Sequence, residues 1–295
     1  MRTIKQIYSS LYDHTWELGF LENTLEDIVS GAPLRYKKVF LPFSDRWFAD
    51  PFILKVTTCE ILLLCEEFCN EINRGRIAKV VIDRDTYKLK SWKIILELPT
   101  HLSFPVITRI NGCILIYPEN SASGLLNLYE FNPETDSVSL IKSIVQVPFT
   151  DAIFTSFSNE IFLFATTKDN PNGKELTICK KKDGEFSIIQ KVIFPENIAR
   201  MAGNFFQVNG KVYRPAQECN HSYGHSIDIQ SVEYSQGDFC FRSVRRIASP
   251  SKRMSLGFHT LNEYNGIIVV DTKGHKHPKI VKILTLLKST FLKRT

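Results

Sequence analysis

Two acidic residues and a histidine stand at matching points of a sequence repeat, which makes them candidates for shared chemistry. Asp50 lies in Phe-Ala-Asp-Pro-Phe, Asp151 in Thr-Asp-Ala-Ile-Phe and His259 in Gly-Phe-His-Thr-Leu. Carboxyls that are gathered in one pocket repel each other, so that one keeps its proton while another stays ionised. Chemistry at a glycosidic bond requires such a pair of carboxyls.

The repeat that carries these residues has a period near 50 residues. Measured from Asp50, Phe104, Asp151, Gly203 and Phe258, the steps are 54, 47, 52 and 55 residues. Each point precedes a turn signal and an apolar strand, and this arrangement is typical of a β-propeller. We predict an all-β protein that forms one five-bladed β-propeller domain over residues 1–295, with blades that begin near residues 48, 103, 150, 200 and 257.

The inside of each unit supports this prediction. Four short β-rich runs are expected in a blade, and the second unit shows them at residues 106–110, 114–117, 125–131 and 138–147. The third unit shows them at residues 153–157, 161–165, 176–180 and 186–193. Three Asn-Gly pairs, at 111–112, 209–210 and 265–266, stand before the second strand of their units. A tight hairpin turn needs residues there that tolerate positive φ.

The fifth unit is incomplete, because only 24 residues follow Asp271. We predict that the N-terminus supplies the missing strands, from residues 15–20 and 38–41. Both ends of the chain would then close the ring and remove its exposed sheet edges. Residues 1–13 and 21–35 are expected to form helical or irregular connections.

Composition narrows the setting of the protein. The chain has no run of 18 apolar residues and no apolar core of a signal peptide in its first 11 residues, which favours a cytoplasmic location. Its seven cysteines are odd in number and several fall in predicted strands, so free, buried thiols are expected. Cys65 and Cys69 have no second Cys/His pair at matching spacing. We therefore expect no structural zinc, no other metal and no cofactor.

The positive charge of the chain is concentrated at its C-terminus. The net charge is +6, and residues 272–295 carry seven Lys/Arg and no acid, so the other residues sum to −1. Residues 279–294 place five apolar side chains at helical spacing between lysines. This basic helix either lies on the inner face of an anionic membrane or docks on the propeller with its lysines in solvent. Nucleic-acid binding is not expected, because the body of the chain has no charge excess.

The inner strands of a propeller converge on a central channel, and this would bring further residues close to Asp50, Asp151 and His259. The candidate catalytic residues are Asp50, Asp151, Glu119 and Glu218. The candidate substrate-binding residues are Arg200, Arg214, Gln217, Tyr223, His259, Trp47 and Glu67. Both arginines suit a phosphate or carboxylate, since guanidinium binds such groups in bidentate fashion. The alternative is structural: the two aspartates would accept backbone N–H groups, and the aromatic residues would pack inside blades.

The first blade resembles that of five-bladed carbohydrate-active propellers, the β-xylosidase, arabinanase and invertase group. The residues that carry this resemblance are Trp47-Phe48-Ala49-Asp50-Pro51-Phe52 and Cys65-Glu66-Glu67-Phe68. The resemblance implies that Asp50 is a base or nucleophile and that Asp151 orients and tunes a proton donor. No Glu-Gly-Pro motif marks the donor, which leaves Glu218 and Glu119 as candidates.

A closer resemblance rests on motifs that occur in order along most of the chain. They are Trp16-Glu17-Leu18-Gly19, Ala49-Asp50-Pro51-Phe52, Ser103-Phe104-Pro105, Tyr117-Pro118-Glu119-Asn120, Ala199-Arg200-Met201-Ala202-Gly203, Arg214-Pro215-Ala216-Gln217, Tyr223-Gly224 and Gly257-Phe258-His259-Thr260. The chain resembles the N-terminal domain of glucosamine inositolphosphorylceramide transferases and related bacterial propellers of polysaccharide assembly. This implies a sugar, nucleotide-sugar or glycolipid ligand.

Three functions stay open at this point. The first is sugar transfer, with Asp50 as base and the two arginines on a phosphate. The second is glycoside hydrolysis by Asp50, Asp151 and a glutamate. The third is a non-catalytic glycan-binding or scaffold module.

Overall fold

The computed structural model describes residues 13–284 and arranges them as five four-stranded antiparallel sheets. The chain enters through β1 (His14–Leu21), α1 (Leu25–Ser30) and β2 (Tyr36–Lys38). Blade one contains β3 (Arg46–Val56), β4 (Glu60–Cys69), β5 (Arg74–Asp83) and β6 (Leu89–Leu96). Blade two contains β7 (Ser103–Ile110), β8 (Cys113–Glu119), β9 (Leu126–Asn132) and β10 (Ser137–Val145).

The remaining blades follow the same order. Blade three contains β11 (Phe149–Phe157), β12 (Glu160–Thr167), β13 (Glu175–Lys182) and β14 (Glu185–Ile193). Blade four contains β15 (Phe206–Val208), β16 (Lys211–Glu218), β17 (Ser226–Ser235) and β18 (Asp238–Ala248). Blade five begins with β19 (Leu261–Tyr264) and β20 (Ile267–His275) and is completed by β1 and β2. The predicted five-bladed propeller is confirmed.

Ring closure by the N-terminus is also confirmed. β1 pairs with β20 from His14↔His275 to Leu21↔Ile268. The second predicted strand, at residues 38–41, is displaced: β2 pairs with β1 only as far as Lys38. Phe40 instead bridges to Lys88 in blade one. The Val39 N–H still donates to the Leu18 carbonyl of β1 at 3.0 Å, and from Phe40 onward the backbone bonds to Tyr87 and Leu89 of blade one.

Residues 21–35 form the helical connection that was predicted for them. Thr24 and Asp27 make a reciprocal capping box at the start of α1, and Gly31 ends the helix with φ of 98°. The Arg245 guanidinium donates hydrogen bonds to the carbonyls of Ile28 and Ala32, at 2.7 and 3.0 Å. These bonds satisfy backbone acceptors that a helix end leaves open. Residues 1–12 lie outside the described part of the chain.

The three Asn-Gly turns take the left-handed backbone that was expected of them. Asn111, Asn209 and Asn265 have φ of 50°, 51° and 52°, and the glycines that follow have φ of 81°, 75° and 76°. The prediction for the cysteines needs a correction. All seven thiols are free, but Cys59, Cys113 and Cys240 are exposed, because they lie in a turn, at the first residue of β8 and on an outer strand.

A second helix, α2, begins at Pro278 and is described to residue 284. Val281 is buried, whereas Ile280 and Ile283 are exposed. The rest of the predicted basic helix, residues 285–295, lies outside the described part of the chain. Between residues 13 and 284, no helix has the length and apolar character to span a membrane. Membrane contact and a cytoplasmic location stay predictions.

Candidate functional site in the central channel

The inner strands of blades one, two and three break their register at the same place. The pairing shifts between Ala49 and Phe52, between Ser103 and Val106, and between Thr150 and Ile153. At each break one residue has positive φ: Asp50 at 50°, Phe104 at 44° and Asp151 at 47°. Such bulges redirect a side chain, and the strained backbone persists only where its surroundings hold it.

Asp50 is held by residues of two neighbouring blades. The Thr260 hydroxyl donates to Asp50 Oδ1 at 2.8 Å, and the Phe104 backbone N–H donates to Oδ2 at 3.1 Å. The Asp50 backbone N–H in turn donates to Asp271 Oδ2 at 2.9 Å. The bulge therefore brings the Asp50 carboxyl into contact with blades two and five.

His259 lies between two carboxyls. Its Nδ1 is 2.7 Å from Asp271 Oδ1, and its Nε2 is 3.5 Å from Asp50 Oδ1. The imidazole stacks on Trp16 of β1, with ring centroids 3.8 Å apart. The strand that closes the ring thus also fixes the plane of this histidine.

Burial and neighbouring charges raise the pKa values of Asp50 and His259. Burial raises the pKa of Asp50 to about 7; the His259 charge opposes this shift, and Asp151 and Glu66 add to it. Burial acts to lower the pKa of His259, but the Asp271 and Asp50 charges outweigh it and raise that pKa. A proton can therefore be held or released here near physiological pH.

A second cluster surrounds Asp151. Arg200 Nε donates to Asp151 Oδ2 at 2.5 Å, and its Nη2 lies 3.2 Å from Oδ1 and 3.4 Å from Glu119 Oε2. The Asp151 backbone N–H donates to Glu119 Oε2 at 3.1 Å. The Gln217 amide donates to Asp151 Oδ2 at 2.7 Å. One guanidinium therefore joins carboxyls from blades two and three.

The two carboxyls of this cluster have pKa values that move in opposite directions. Burial, reinforced by the Asp151 charge, raises the pKa of Glu119 well above its ordinary range despite Arg200. Burial acts in the same sense on Asp151, but the adjacent Arg200 charge and hydrogen bonds outweigh it and lower the pKa. A protonated Glu119 beside an ionised Asp151 is an arrangement suited to general acid catalysis.

Tyr223 connects the two clusters. Its ring meets the His259 ring edge-on at 5.3 Å, and the Arg200 guanidinium carbon lies 5.0 Å from its centroid. Gly224 follows with φ of 61°, and a Cβ there would lie 2.6 Å from His259 Cβ. Both its backbone and its neighbour therefore require glycine next to Tyr223.

The clusters are nearly closed to solvent, and the cluster around Asp151 is the more exposed of the two. The side chains of Glu119 and Arg200 are each 10% exposed, compared with 4% for Asp50. Two buried acceptors, Asn120 Oδ1 and Gln217 Oε1, find no hydrogen-bond donor between residues 13 and 284. Gln217 Oε1 belongs to the amide whose nitrogen is bonded to Asp151, so an acceptor without a donor lies in this cluster.

A cation would find three ligand atoms in the first cluster. Asp50, His259 and Asp271 offer atoms that all lie within 4.8 Å of one another. The oxygens of Asp271, however, accept hydrogen bonds from three backbone N–H groups, those of Asp50, His259 and Thr260. These donors stabilise the charged carboxylate, and the 2.7 Å contact with His259 Nδ1 makes the geometry that of a hydrogen-bonded carboxylate–histidine pair.

Most of the chain matches one known protein family. Residues 38–255 match the family described as Glucosamine inositolphosphorylceramide transferase 1, N-terminal. The chain belongs to this family. The glucosamine inositolphosphorylceramide transferase 1 of Arabidopsis thaliana is 28% identical over 149 residues, which cover 48% of this chain and 20% of that protein. The protein of that name from Oryza sativa subsp. japonica is 26% identical over 203 residues, 65% of this chain and 27% of that protein. This chain therefore spans about a quarter or less of these family members.

Solved structures with the same fold are distant in sequence. A GH43_1 enzyme from Xanthomonas citri superposes with a TM-score of 0.52 over 77% of this chain and 87% of that one, at 9% identity. An α-L-arabinofuranosidase from Clostridium thermocellum superposes with a TM-score of 0.50 over 77% and 82%, at 16% identity. Both likenesses show the propeller fold alone.

Seven of the eleven predicted site residues lie together in the channel clusters. They are Asp50, Asp151, Glu119, Arg200, Gln217, Tyr223 and His259. Three further residues take part without having been chosen as site residues, Asp271, Thr260 and Trp16. Thr260 directly follows His259 and could have been found from that position. Trp16 could not have been found in this way, because the repeat does not show which residue of β1 lies beside His259.

Arg214, by contrast, lies away from the channel clusters. Its guanidinium donates to Gln230 Oε1 at 2.9 Å and to the Ala199 carbonyl, and Nε lies 3.0 Å from Met201 Sδ. Burial lowers the pKa of this arginine to about 9. Arg214 and Gln217 are three residues apart on β16, so their side chains lie on opposite faces of the strand. The structure thus commits Arg214 to the interior of blade four.

Alternation also separates two predicted glutamates from the site. Glu67 is fully buried between Arg46 and Arg76, with contacts of 2.9 Å to each. Glu218 follows Gln217 and therefore turns to the other face, where it accepts from Ser226 Oγ at 3.0 Å and the Asn220 N–H at 2.7 Å. These contacts lie within single blades or their own turns.

Trp47 lies outside the clusters as well. Its ring stacks on Phe68, with centroids 4.7 Å apart and planes 2° from parallel. It lines a cavity of about 780 Å³ at the seam of blades five and one. Trp47 could stack on a ligand in the channel or pack within a blade, and this position favours packing.

Proposed function

We propose that this propeller carries out a glycosyl-transfer step in glycolipid or surface-polysaccharide assembly, with the reaction in its central channel. The observation that carries the proposal is the pair of adjacent carboxyls whose pKa values move apart, Glu119 upward and Asp151 downward. The curated family members are named glucosamine inositolphosphorylceramide transferase 1, and a transferase name supports transfer over hydrolysis.

Glu119 is the proton donor in this proposal. The resemblance to carbohydrate-active propellers requires a donor that Asp151 tunes, and Glu119 contacts both the Asp151 backbone and Arg200. Glu218 has neither contact, since its oxygens are bonded to Ser226, His225 and the Asn220 N–H. Glu119 is also among the more exposed carboxyls of the channel.

Asp50 is the base. Its pKa of about 7 lets it accept the proton of an acceptor hydroxyl at neutral pH. The hydroxyl oxygen then forms the new bond to the sugar carbon while the old bond to the leaving oxygen breaks, and Glu119 protonates that leaving oxygen. His259, fixed by Trp16 and Asp271, stabilises the Asp50 carboxylate before the proton moves.

The channel suits the sugar ring better than a phosphate. Arg200 is already paired with two carboxyls, and Arg214 is inside blade four. A sugar hydroxyl that reached the Gln217 amide would donate to its Oε1, which has no donor between residues 13 and 284. The donor substrate is a nucleotide sugar or a glycolipid. In a glycolipid the leaving oxygen at Glu119 is glycosidic, and the charged head group stays outside these clusters. In a nucleotide sugar the leaving oxygen belongs to the first phosphate, which then lies beside Glu119 while the rest of the nucleotide stays outside.

The test is transfer by the purified full chain with a panel of nucleotide sugars and glycolipid acceptors, with product detected by mass spectrometry. Glu119→Gln and Asp50→Asn are expected to lose roughly a hundredfold or more of turnover while they remain folded. Asp228→Asn is the matched control, because Asp228 is equally buried but bonded to Gln230 and Ser243 outside the channel. Full turnover in Glu119→Gln would remove Glu119 as donor.

A non-catalytic glycan-binding role is the second candidate, and one observation favours it. Both oxygens of Asp50 already accept hydrogen bonds from the protein, as a purely structural aspartate would. Under this alternative, oligosaccharides raise the melting temperature of the wild type and of Asp50→Asn alike, and no donor is turned over. Release of an aryl group from glycosides would instead indicate hydrolysis.

A further inference from the structure

A cavity of about 340 Å³ lies at the seam between blades two and three. Most of the side chains that line it are apolar. They include Ile110, Leu115, Leu128, Ile144, Phe154 and Phe186. Its volume falls within the range of small-molecule pockets.

This cavity is separate from the channel site. It is lined by Thr155 and Ser156 at the far end of β11, whereas Asp151 lies near the start of that strand. Five residues of extended strand span about 17 Å. On β7, likewise, Thr108 lines the cavity, and Phe104 lies at the opposite end. Tyr117 and Phe154 line its inner part, two and three residues from Glu119 and Asp151, but neither acid lines the cavity.

Two lysines give the cavity a positive charge. Lys142 of β10 and Lys181 of β13 both line it and are both exposed. Neither forms an ion pair with any residue between 13 and 284, and none of the residues that line the cavity is acidic. An anionic group placed between them would face no opposing carboxylate in the cavity wall.

Exposed aliphatic side chains also lie on the outer strands of the same two blades. Leu140 and Ile141 on β10 are 60% and 48% exposed, and Ile188 on β14 is 56% exposed. Of the residues that line the cavity itself, Ile110 and Ile161 are 53% and 40% exposed. Exposed apolar residues that line a pocket are typical of a binding surface.

We infer that this seam binds a single-chain anionic amphiphile. The alkyl or isoprenoid chain occupies the apolar cavity, and its phosphate or carboxylate head lies between Lys142 and Lys181. This site is independent of the chemistry proposed for the channel.

Calorimetric titration with octyl, decyl and dodecyl phosphate below their micelle concentrations tests the inference. Affinity is expected to rise about fourfold for each added CH₂ as the chain enters the cavity. Ser156→Trp, which fills the cavity from an exposed position, is expected to abolish binding. Lys181→Glu is expected to weaken binding at least tenfold. Lys182→Glu is the matched control, because Lys182 follows Lys181 at the end of β13 and is exposed but does not line the cavity.

Several outcomes would overturn the inference. Inorganic phosphate that binds as tightly as decyl phosphate would indicate a simple anion site. Affinity independent of chain length, or unchanged in a folded Ser156→Trp variant, would place the chain outside the cavity. Binding to anionic phospholipid vesicles that is lost in Lys181→Glu but kept in Ser156→Trp would indicate a membrane surface instead. Melting curves of each variant separate these results from misfolding.

Discussion

Asp50 and Asp151 occupy equivalent bulges, yet their pKa values move in opposite directions. Asp50 is buried beside other carboxyls, and its pKa is about 7. Asp151 is equally buried, but the Arg200 guanidinium lies against it and lowers its pKa. The difference comes from what the neighbouring blade places next to each carboxyl, since the local sequence setting of the two is similar.

This difference predicts how stability depends on pH. The pKa of Asp50 is 3.8 in the unfolded chain and about 7 in the folded protein. Between these two pH values the folded state therefore holds more protons than the unfolded state. Stability must then fall as pH rises, and the raised pKa of His259 acts in the same direction. Asp151, whose pKa is lowered, affects stability only at more acidic pH. We expect Asp50→Asn to flatten the decline between about pH 4.5 and 8.

Urea unfolding at several pH values measures this slope. Asp228→Asn serves as control and should keep the wild-type slope, because Asp228 is buried outside the channel. An unchanged slope in Asp50→Asn would show that Asp50 is ionised throughout the range.

At the scale of the single element, left-handed backbone positions organise both the turns and the site. The Asn-Gly hairpins use them to reverse direction before the second strand of a blade. The bulges at Asp50 and Asp151 use them to redirect a side chain. Asparagine and glycine adopt this backbone at low cost, whereas the bulge residues need contacts from other blades to hold it.

The turn at Asn209-Gly210 allows the backbone cost to be measured alone. Gly210 has φ of 75°, and a Cβ added there would meet nothing within 4 Å. Gly210→Val is therefore expected to destabilise the protein by roughly 1–2 kcal/mol through backbone strain. Gly210→Asn should cost less than half of that, since asparagine tolerates positive φ. Equal urea midpoints for the two variants would contradict this explanation.

At the scale of the whole molecule, the N-terminal strand has two tasks. β1 pairs with β20 along eight residues and so closes the ring. It also supplies Trp16, on which His259 stacks. Fold stability and the geometry of the candidate site therefore depend on the same contact between the two ends of the chain.

Removal of residues 1–21 tests this dependence. Leu18, Phe20 and Leu21 of β1 are buried, and about 2 kcal/mol for each gives a loss of about 6 kcal/mol. That loss is comparable with the whole stability of a typical domain. We expect the truncated chain to unfold at much lower urea or to aggregate. A peptide of residues 13–21 should restore stability in part, and the same peptide with Leu18→Asp should not. A truncated chain with the wild-type midpoint would show that closure is dispensable.

Much of the candidate site could be predicted because the repeat itself reports which residues are equivalent. Asp50, Asp151 and His259 were found from position alone, and Glu119 and Arg200 were chosen from motifs near the same strand ends. Arg214, Glu67 and Glu218 were placed in the channel by the same reasoning, but the structure places them elsewhere. Nearness along a strand does not specify its face, and a shift of one residue reverses the side chain.

The five-bladed fold, its closure by the N-terminus and the Asn-Gly turns follow from the order of residues along the chain. They are properties of period, strand pattern and local backbone preference, which short segments carry within themselves. Which carboxyl keeps its proton, and which residues share the channel, depends on tertiary contacts. Glu119 beside Asp151, Trp16 beneath His259 and Arg214 inside blade four are contacts between segments distant in the chain or consequences of strand face. Burial and neighbouring charge depend on such contacts, because both arise only when the blades pack together.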